Sequence, residues 1–277
     1  MYEFKYVRPN SVRQAANMLA KDPDAKILAG GHSLLPAMKL RLAKHTQLLD
    51  IGRIEGINTI ELKGRSLVIG AMARHVEVAN SPVVKEALPV LAKLAGEIGD
   101  PAVRHRGTIG GSLANNDPNA DYPAAVLGLG ATVITNKRKI AADDFFKGMF
   151  DTALEPDEII VKVSFPLAKK AAYMKFKHPA SGFALVGVFV SKRGSDIRVA
   201  VTGAGSNGVF RVPAFEEALK KRFSPKSLEG LTIPADGMNA DIHASAEYRA
   251  HLVGVMARRA VTKALAYPDP KAAAAAE

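Results

Sequence analysis

The sequence of 277 residues contains no cysteine and no tryptophan, and aromatic residues amount to 6% of it. Without cysteine, the chain forms no disulfide, no thiolate zinc site and no cysteine-ligated iron–sulfur cluster. A metal redox centre that works with this chain would therefore belong to a partner. The few aromatic side chains also provide a poor stacking platform for nucleic-acid bases.

Long hydrophobic runs are missing too. The longest, from Phe183 to Val190, falls far short of the roughly 20 residues that a membrane-spanning helix requires. The N-terminal stretch MYEFKYVRPN places Glu3 and Lys5 where a secretory signal would carry a basic start and an apolar core. We therefore expect no membrane span and a cytoplasmic location.

The chain does have an ordinary globular composition with an excess of positive charge. Hydrophobic residues make up 48% of it, charged residues 23%, and the formal net charge is +11. These values predict a folded protein of about two domains, and the charge suits an anionic ligand, an acidic partner or nucleic acid. The basic residues are scattered, so the charge alone does not identify a partner.

The spacing of apolar residues predicts both helices and strands. A helix is expected over residues 11–20, and the strand AKILAGG leads into a second helix, LPAMKLRLA. A hairpin is expected around residues 63–64, and Pro82 and Pro89 interrupt a later helical stretch, which we interpret as two pieces. Beyond residue 170, three successive strand candidates predict an antiparallel sheet, followed by a long helix and a low-complexity tail, PDPKAAAAAE.

Two short stretches each contain adjacent glycines followed within two residues by a serine, AGGHS at residues 29–33 and TIGGS at residues 108–112. Adjacent glycines can adopt positive φ, which turns successive backbone N–H groups into one concavity that binds anions. The first stretch also lies at a predicted strand-to-helix junction, where helix N–H groups are free. The pair predicts a pyrophosphate held from two sides, although each stretch by itself is more typical of a simple turn.

Longer sequences around both stretches resemble a known family. AGGHSLLPAMKLRLAKHTQLLDIGRI and GDPAVRHRGTIGGSLANNDPNADYPAA are similar to the two FAD-binding signatures of the medium subunit of molybdenum hydroxylases, especially the aerobic carbon monoxide dehydrogenase type. The likeness continues in GINTIELKGRSLVIGAMARHVEV and DIHASAEYRAHL, so it covers nearly the whole chain.

The resemblance implies an α+β fold of the p-cresol methylhydroxylase (PCMH) type with FAD between its first two parts. These would be an N-terminal FAD-binding α/β subdomain at residues 1–56 and a middle FAD-binding α+β subdomain at residues 57–170. A C-terminal domain of the carbon monoxide dehydrogenase flavoprotein type, with a small antiparallel sheet and helices, would occupy residues 171–277.

The resemblance also implies which residues contact FAD. The two glycine stretches and one acid just downstream match the family's motifs, and three further positions align by counting over short spans. These residues are Ala29, Gly30, Gly31, His32, Ser33, Leu34, Leu35, Pro36, Thr108, Ile109, Gly110, Gly111, Ser112 and Asp121, with Ile98, Ile160 and Lys177 as the three further positions. Ser112 stands where the family's second signature often has asparagine, a swap that leaves the backbone intact.

The function implied is electron transfer within a larger complex. Non-covalent FAD would take electrons from a small [2Fe-2S] subunit, and FADH2 would pass them to an external acceptor. The molybdenum cofactor would reside in a large subunit, and the complex would be a dimer of heterotrimers. Because the flavin carries the chemistry, we predict no catalytic side chain and no metal ligand in this chain.

Several alternatives stay open at this point. His32 could attach FAD covalently, as histidine does in some flavoproteins of the wider fold, although the resemblance favours non-covalent binding. GAGSNG at residues 203–208 formally fits a dinucleotide-binding motif, but Pro213 and the basic stretch LKKRFSPK stand where its helix and ribose-binding acid should be. A stand-alone flavin oxidase or dehydrogenase and a non-enzymatic anion- or nucleic-acid-binding protein are the other functional candidates.

Overall fold

A computed structural model describes residues 1–266, so the predicted tail PDPKAAAAAE lies outside the described residues. The strands are β1 (Lys5–Val7), β2 (Lys26–Leu28), β3 (Gln47–Asp50), β4 (Ile60–Lys63), β5 (Ser66–Gly70), β6 (Thr132–Thr135), β7 (Lys139–Ala141), β8 (Phe146–Gly148), β9 (Asp151–Thr152), β10 (Ile160–Pro166), β11 (Lys170–Lys177), β12 (Ala184–Arg193), β13 (Asp196–Thr202) and β14 (Phe210–Arg211). The α-helices are α1 (Val12–Lys21), α2 (Leu34–Lys39), α3 (His75–Asn80), α4 (Pro82–Ala87), α5 (Pro89–Gly96), α6 (Pro101–Arg106), α7 (Ile109–Asn115), α8 (Tyr122–Leu129), α9 (Ala142–Phe145), α10 (Pro213–Lys221) and α11 (Ala246–Leu265), and Pro225–Leu228 forms a 3₁₀ helix.

The first part of the chain forms a three-stranded parallel sheet in the order β1-β3-β2. Helix α1, which the sequence predicts, connects β1 to β2, and its Ser11 cap accepts a hydrogen bond from the Gln14 N–H group. The sequence analysis missed β1, a short edge strand with little burial. Because the strands are parallel, the loops that follow β2 and β3 leave from the same edge.

The middle part is an antiparallel sheet in the order β4-β5-β10-β6-β7. Helices α4, α7 and α8 pack against it, and α3, α5 and α6 pack against the other helices. The prediction of two helical pieces around Pro82 and Pro89 is wrong, because three helices occupy that stretch. Each proline occupies the first position of a helix, α4 and α5, where its missing N–H costs no hydrogen bond. One buried cluster fills this part and continues to α1 and β3.

The last described part is an antiparallel sheet in the order β11-β12-β13-β14, as predicted, with α11 lying across β11 and β12. A second buried cluster lies between this sheet and α10 and α11. After GAGSNG the chain enters β14, which pairs antiparallel with β13, and it forms no dinucleotide-binding βα unit there. Among residues 1–266, no helix is both long enough and apolar enough to cross a membrane.

Candidate functional site

The first glycine stretch leaves β2 at the carboxyl edge of the parallel sheet and enters α2. Gly31 has a φ of +78°, the left-handed region that favours glycine. Its carbonyl accepts a hydrogen bond from the Leu35 N–H group at 3.1 Å. The backbone N–H groups of residues 30–34, in contrast, have no acceptor within residues 1–266. Consecutive free donors around a positive-φ glycine are the arrangement that binds an anion.

The second glycine stretch differs, because Gly110 and Gly111 lie in the first turn of α7 and neither has positive φ. The Ile109 N–H donates to the Ala73 carbonyl at 3.1 Å, and the Gly110 N–H to the Ala71 carbonyl at 2.8 Å. The Gly111 and Ser112 N–H groups bond the hydroxyl and the carbonyl of Thr108, at 3.1 and 3.0 Å. The expectation that both glycine pairs present free donors through positive φ is therefore wrong for the second pair.

Close packing against neighbouring atoms explains the other glycines of the two stretches. A Cβ on Gly110 would lie 2.6 Å from the Cβ and 2.8 Å from the carbonyl oxygen of Ala71, and a Cβ on Gly30 would overlap the Arg106 carbonyl. A Cβ on Gly111 would lie 3.5 Å from the Cβ of Ala29, so the two stretches meet directly. The structure thus brings together the two glycine stretches that were predicted to contact the ligand.

A segment that the sequence analysis missed, residues 71–75, frames the second stretch. Besides the two carbonyls already described, the His75 N–H donates to the Gly107 carbonyl at 3.0 Å. The His75 ring packs directly under Gly107. Burial, together with the nearby charges of His32 and Arg104, lowers the pKa of His75 to about 4, so this imidazole is neutral at neutral pH. No sequence signal distinguishes it from an ordinary core histidine.

Comparison with known proteins identifies the family. Residues 2–168 match the family described as the FAD binding domain in molybdopterin dehydrogenase. The chain is 37% identical over 274 residues to the nicotine 6-hydroxylase medium subunit of Paenarthrobacter nicotinovorans, covering 94% of this chain and 96% of that one. This chain belongs to the FAD-binding medium subunits of molybdenum hydroxylases. The family predicted from the sequence is confirmed.

Other medium subunits agree in sequence and in fold. The carbon monoxide dehydrogenase medium chain of Hydrogenophaga pseudoflava is 36% identical over 279 residues, which cover 95% of this medium subunit and 97% of that chain. A solved structure of carbon monoxide dehydrogenase from the same organism, lacking the Mo-pyranopterin moiety, superposes with a TM-score of 0.86 at 35% identity, covering 96% and 98% of the two chains. The predicted α+β fold of the PCMH type is confirmed.

The cofactor of this family, FAD, fits the first glycine stretch of this medium subunit. Its pyrophosphate is an anion with several acceptor oxygens, and residues 30–34 offer consecutive N–H donors with no acceptor in the described chain. At the second stretch, the Ser112 hydroxyl makes no hydrogen bond within residues 1–266 and is available as a further donor. An anion with several acceptor oxygens therefore suits these donors.

Asp121, the predicted acid just downstream, is buried and fully engaged inside this medium subunit. Its carboxylate accepts hydrogen bonds from the Tyr173 hydroxyl and, at 3.0 Å, from the Lys175 ammonium. Lys175 also donates to the Glu97 carbonyl at 2.9 Å. Burial raises the pKa of Asp121, and the Lys175 charge and the Tyr173 hydrogen bond oppose that rise. The first observed role of Asp121 is therefore to join α8 to β11.

Ile98, Ile160 and Lys177 are the three positions that were aligned by counting. Ile98 is buried just beyond Glu97, and its carbonyl accepts a hydrogen bond from Arg104 at 2.9 Å. Ile160 is buried at the start of β10, and the next residue accepts the Ala71 N–H at 2.8 Å. Lys177 is exposed at the end of β11. Their contact with FAD stays a prediction, as does that of every residue assigned by resemblance.

His32 is exposed and makes no hydrogen bond to any residue that the structure describes. The buried His75 lies near His32, and the charge of His32 helps to lower the pKa of His75.

Within residues 1–266, no cluster of three or more histidine, aspartate or glutamate side chains is arranged to hold a metal ion.

A cavity of about 280 Å³ adjoins the contact between the two glycine stretches. It reaches Ala29, Gly30 and Thr108 but none of the residues from Gly31 to Pro36, so Gly30 is the one residue of the free-donor run that lines it. The other residues that line it are Asp50, Gly52, Arg53, Asn58, Met72, Arg74, Glu77 and Arg106. The sequence analysis did not single out the three arginines. Arg74 is paired with Glu77 at 2.6 Å, whereas Arg53 and Arg106 form no ion pair within residues 1–266 and add positive charge beside the first stretch.

Proposed function

We propose that this medium subunit transfers electrons from an iron–sulfur partner to an external acceptor through non-covalently bound FAD. The observation that carries the proposal is the run of acceptor-free N–H groups at residues 30–34, next to a glycine at positive φ. Several hydrogen bonds to a charged group, each worth about 1.5–3 kcal/mol, are enough for micromolar binding or better. No covalent link is needed to retain the cofactor.

In this proposal the two stretches have different roles. Residues 30–34 donate to the pyrophosphate, and the second stretch, held rigid by residues 71–75, forms the opposite wall and adds the Ser112 hydroxyl. Ile98, Ile160, Asp121 and Lys177 would line the rest of the cofactor's length.

Bound FAD supplies the redox chemistry, because flavin exchanges electrons singly with iron–sulfur centres and in pairs with two-electron acceptors. This chain has no cysteine, so the iron–sulfur ligands come from a partner. The large molybdenum-binding subunit and the small [2Fe-2S] subunit are the partners that fit. The relatives described above are named as a medium subunit and a medium chain, which supports partners of other sizes.

Three further statements belong to the same proposal. FAD lies between subdomains at residues 1–56 and 57–170, and a C-terminal domain begins at residue 171. The complex is a dimer of heterotrimers. It works in the cytoplasm.

The test begins with the purified chain. We expect one FAD per chain, a yellow solution, and flavin in the supernatant after acid precipitation. A yellow pellet would show covalent attachment, with His32 as the first candidate. A colourless chain that takes up no added FAD would contradict the proposal. The direction of electron flow is checked by adding substrate to the intact complex and to the isolated chain. The flavin should become reduced in the complex and stay oxidised in the isolated chain.

A further inference from the structure

Two histidine side chains from distant parts of the chain meet at the end of the last sheet where β11 passes into β12. His178 begins the loop between these strands, at residues 178–183, and His243 lies in the segment that leads into α11. The His178 Nε2 lies 3.2 Å from the His243 Nδ1, and the planes of the two rings are nearly perpendicular, at 80°. The pair therefore joins the loop to the segment before α11.

The hydrogen bonds around His178 determine its protonation state. Its Nδ1 accepts the N–H groups of Ala180 at 3.3 Å and Ser181 at 3.2 Å, and the Ser181 hydroxyl lies 3.2 Å from the same nitrogen. A backbone N–H only donates, so Nδ1 carries no proton and the proton of the ring lies on Nε2. That Nε2–H donates to the His243 Nδ1, which must accept and is therefore also unprotonated. Both imidazoles are neutral in this arrangement.

A second proton on either ring conflicts with this arrangement. On His178 it would lie on Nδ1 and face two backbone N–H donors, and on His243 it would lie on Nδ1 and face the Nε2–H of His178. Two charged rings with nitrogens 3.2 Å apart would also repel each other. Histidine ordinarily changes its charge between about pH 5 and pH 8, so the conflict arises in that range.

The segment that carries His243 is held by groups that keep their charge over this range. The Asp241 carboxylate accepts the N–H groups of residues 243–244 at 2.9 and 3.1 Å, and Arg249 donates to it at 2.7 Å. Burial raises the pKa of Asp241, but these hydrogen bonds outweigh that effect and keep the pKa below its usual range. Arg249 is buried and also donates to two backbone carbonyls at 2.7 and 3.0 Å. His243 therefore stands on a fixed support.

The elements next to the pair carry further titratable and charged side chains. They belong to β11, to α6 with its cap, and to α11 with the segment before it: Lys177, Asp100, Arg104, Asp241, Glu247, Tyr248 and Arg249. None of them hydrogen-bonds to either imidazole within residues 1–266, and the cations and carboxylates among them are equal in number. The response to pH therefore comes from the two rings.

The loop at residues 178–183 also contacts the middle part of the chain. A Cβ on Gly182 would lie 3.5 Å from the Gly99 carbonyl oxygen, so the loop packs on the turn between α5 and α6. The Gly182 N–H donates to the His178 carbonyl at 2.9 Å, and the His178 N–H to the Phe183 carbonyl at 2.8 Å. A change at His178 thus reaches the whole loop.

We propose that the His178–His243 pair is a pH-sensitive switch that holds the loop at residues 178–183 closed over the turn between α5 and α6. The loop is closed while both rings are neutral. It opens when either ring takes up a proton, and the turn at residues 97–100 then becomes accessible. The switch is a property of the loop itself and does not require the proposed electron transfer.

The test measures amide hydrogen exchange by NMR in the full chain with its bound flavin, at pH 8 and pH 5. The amides of Ala180 and Ser181 report directly, because they donate to the His178 Nδ1. After correction for the intrinsic effect of pH, we expect them to exchange at least about fivefold faster at pH 5, since both hydrogen bonds are lost. The amides of α11 should show no such change and serve as the internal reference.

Three variants assign the effect to the pair. In His178→Asn the side-chain carbonyl accepts the same backbone N–H groups but takes up no proton, so the difference between pH 5 and pH 8 should fall below about twofold. His243→Ala removes the partner ring, and exchange should already be about threefold faster at pH 8. The matched control is His105→Asn on α6, an exposed histidine whose Nδ1 bonds the Pro101 carbonyl at 2.7 Å. It should leave both exchange rates unchanged.

Each contrary outcome is decisive. Equal corrected exchange at pH 5 and pH 8 in the wild type overturns the inference. A pH effect that survives in His178→Asn, or that disappears in His105→Asn, overturns it because the effect then arises outside the pair. Wild-type exchange in His243→Ala at pH 8 overturns the role of the second ring. NMR of the imidazole nitrogens gives a separate check, since a proton on the His178 Nδ1 at pH 8 contradicts the assigned tautomer.

Discussion

At the scale of single residues, a substitution at Gly31 tests FAD binding separately from folding. Its φ of +78° would strain alanine, and the added Cβ would lie 2.9 Å from Leu35 Cδ1, so the loop or the Leu35 side chain must shift. We expect Gly31→Ala to weaken FAD binding about tenfold or more, the equivalent of one lost charge-assisted hydrogen bond. Fluorescence titration of the apoprotein with FAD measures this.

Gly56→Ala is the matched control for that substitution. Gly56 has nearly the same φ, +77°, but a Cβ there would meet no atom within 4 Å. It should therefore introduce similar backbone strain and leave the FAD affinity unchanged. Equal losses of affinity in the two variants would show that Gly31 acts only through stability.

The sequence pointed to both glycine pairs as site residues, but it did not show why each position needs glycine. Nothing in TIGGS distinguishes a positive-φ loop from a helix start, because the deciding partners, Ala71 and Ala73, lie more than thirty residues earlier. The Arg53, Arg74 and Arg106 side chains around the cavity were missed for the same reason. Their grouping exists only after the first two sheets meet.

At the scale of secondary-structure elements, Gly110 fixes the position of α7 against residues 71–75. A side chain there would collide with the Ala71 backbone, so Gly110→Ala should lower the free energy of unfolding by about 1–3 kcal/mol. Gly96→Ala at the end of α5 is the control, since its Cβ would make an ordinary 3.8 Å contact with Ala79. It should leave stability unchanged or raise it by up to about 1 kcal/mol. Urea unfolding of both variants checks this, and equal midpoints would contradict it.

The start of β10 depends on Glu158. Its carboxylate is buried, which raises its pKa, but hydrogen bonds from Arg138, Thr135 and the Glu155 N–H outweigh that effect. The pKa of Glu158 falls from 4.5 to about 2. A lowered folded-state pKa stabilises the fold above the unfolded value, and this contribution disappears as the pH falls from 4.5 towards 2.

We therefore expect Glu158→Gln to lower the free energy of unfolding by on the order of 2–3 kcal/mol at pH 7, with a smaller difference from the wild type below pH 4. Glu86→Gln on the exposed face of α4 should change it little at any pH. Unfolding experiments between pH 2 and 7 measure both differences. A pH-independent effect of Glu158→Gln would contradict the assigned role of its charge.

Local sequence signals predicted most elements where they were strong. The hairpin between β4 and β5, the three long strands of the last sheet and helix α11 all follow from apolar spacing and turn residues. The prolines at 82 and 89 were recognised as interruptions, but their preference for the first helical position gives three helices where two were expected. Strand β1 has three mostly exposed residues, so its pattern carries no signal.

At the scale of the whole molecule, the Asp121–Lys175 ion pair connects the middle part to the last sheet. Losing one partner of a buried pair costs about 3–5 kcal/mol, because the other charge is left uncompensated. We expect Asp121→Asn and Lys175→Met each to destabilise the chain, and the double variant to cost less than the sum. Since burial raises the pKa of Asp121, Lys175→Met should cost less at low pH, where the lone carboxyl takes up a proton.

A double-mutant cycle by urea unfolding at pH 5 and pH 8 tests this prediction. Additive effects at both pH values would show that the two side chains act independently. The pair joins residues that are 54 positions apart, and neither position carries a sequence pattern that predicts the contact. The family resemblance predicts that Asp121 contacts the cofactor, and that stays a prediction; the structure shows that its carboxylate also holds β11 against α8.

The central claim is that the free donors at residues 30–34 hold the pyrophosphate of FAD. The most direct test compares the dissociation constants of FAD, FMN and riboflavin for the apoprotein, since riboflavin has the ring but neither phosphate nor adenosine, and FMN has one phosphate and no adenosine. We predict that riboflavin binds at least about 1,000-fold more weakly, because several charge-assisted hydrogen bonds of about 1.5–3 kcal/mol each are missing. Riboflavin binding within about tenfold of FAD, a difference of only about 1.4 kcal/mol, would contradict the claim.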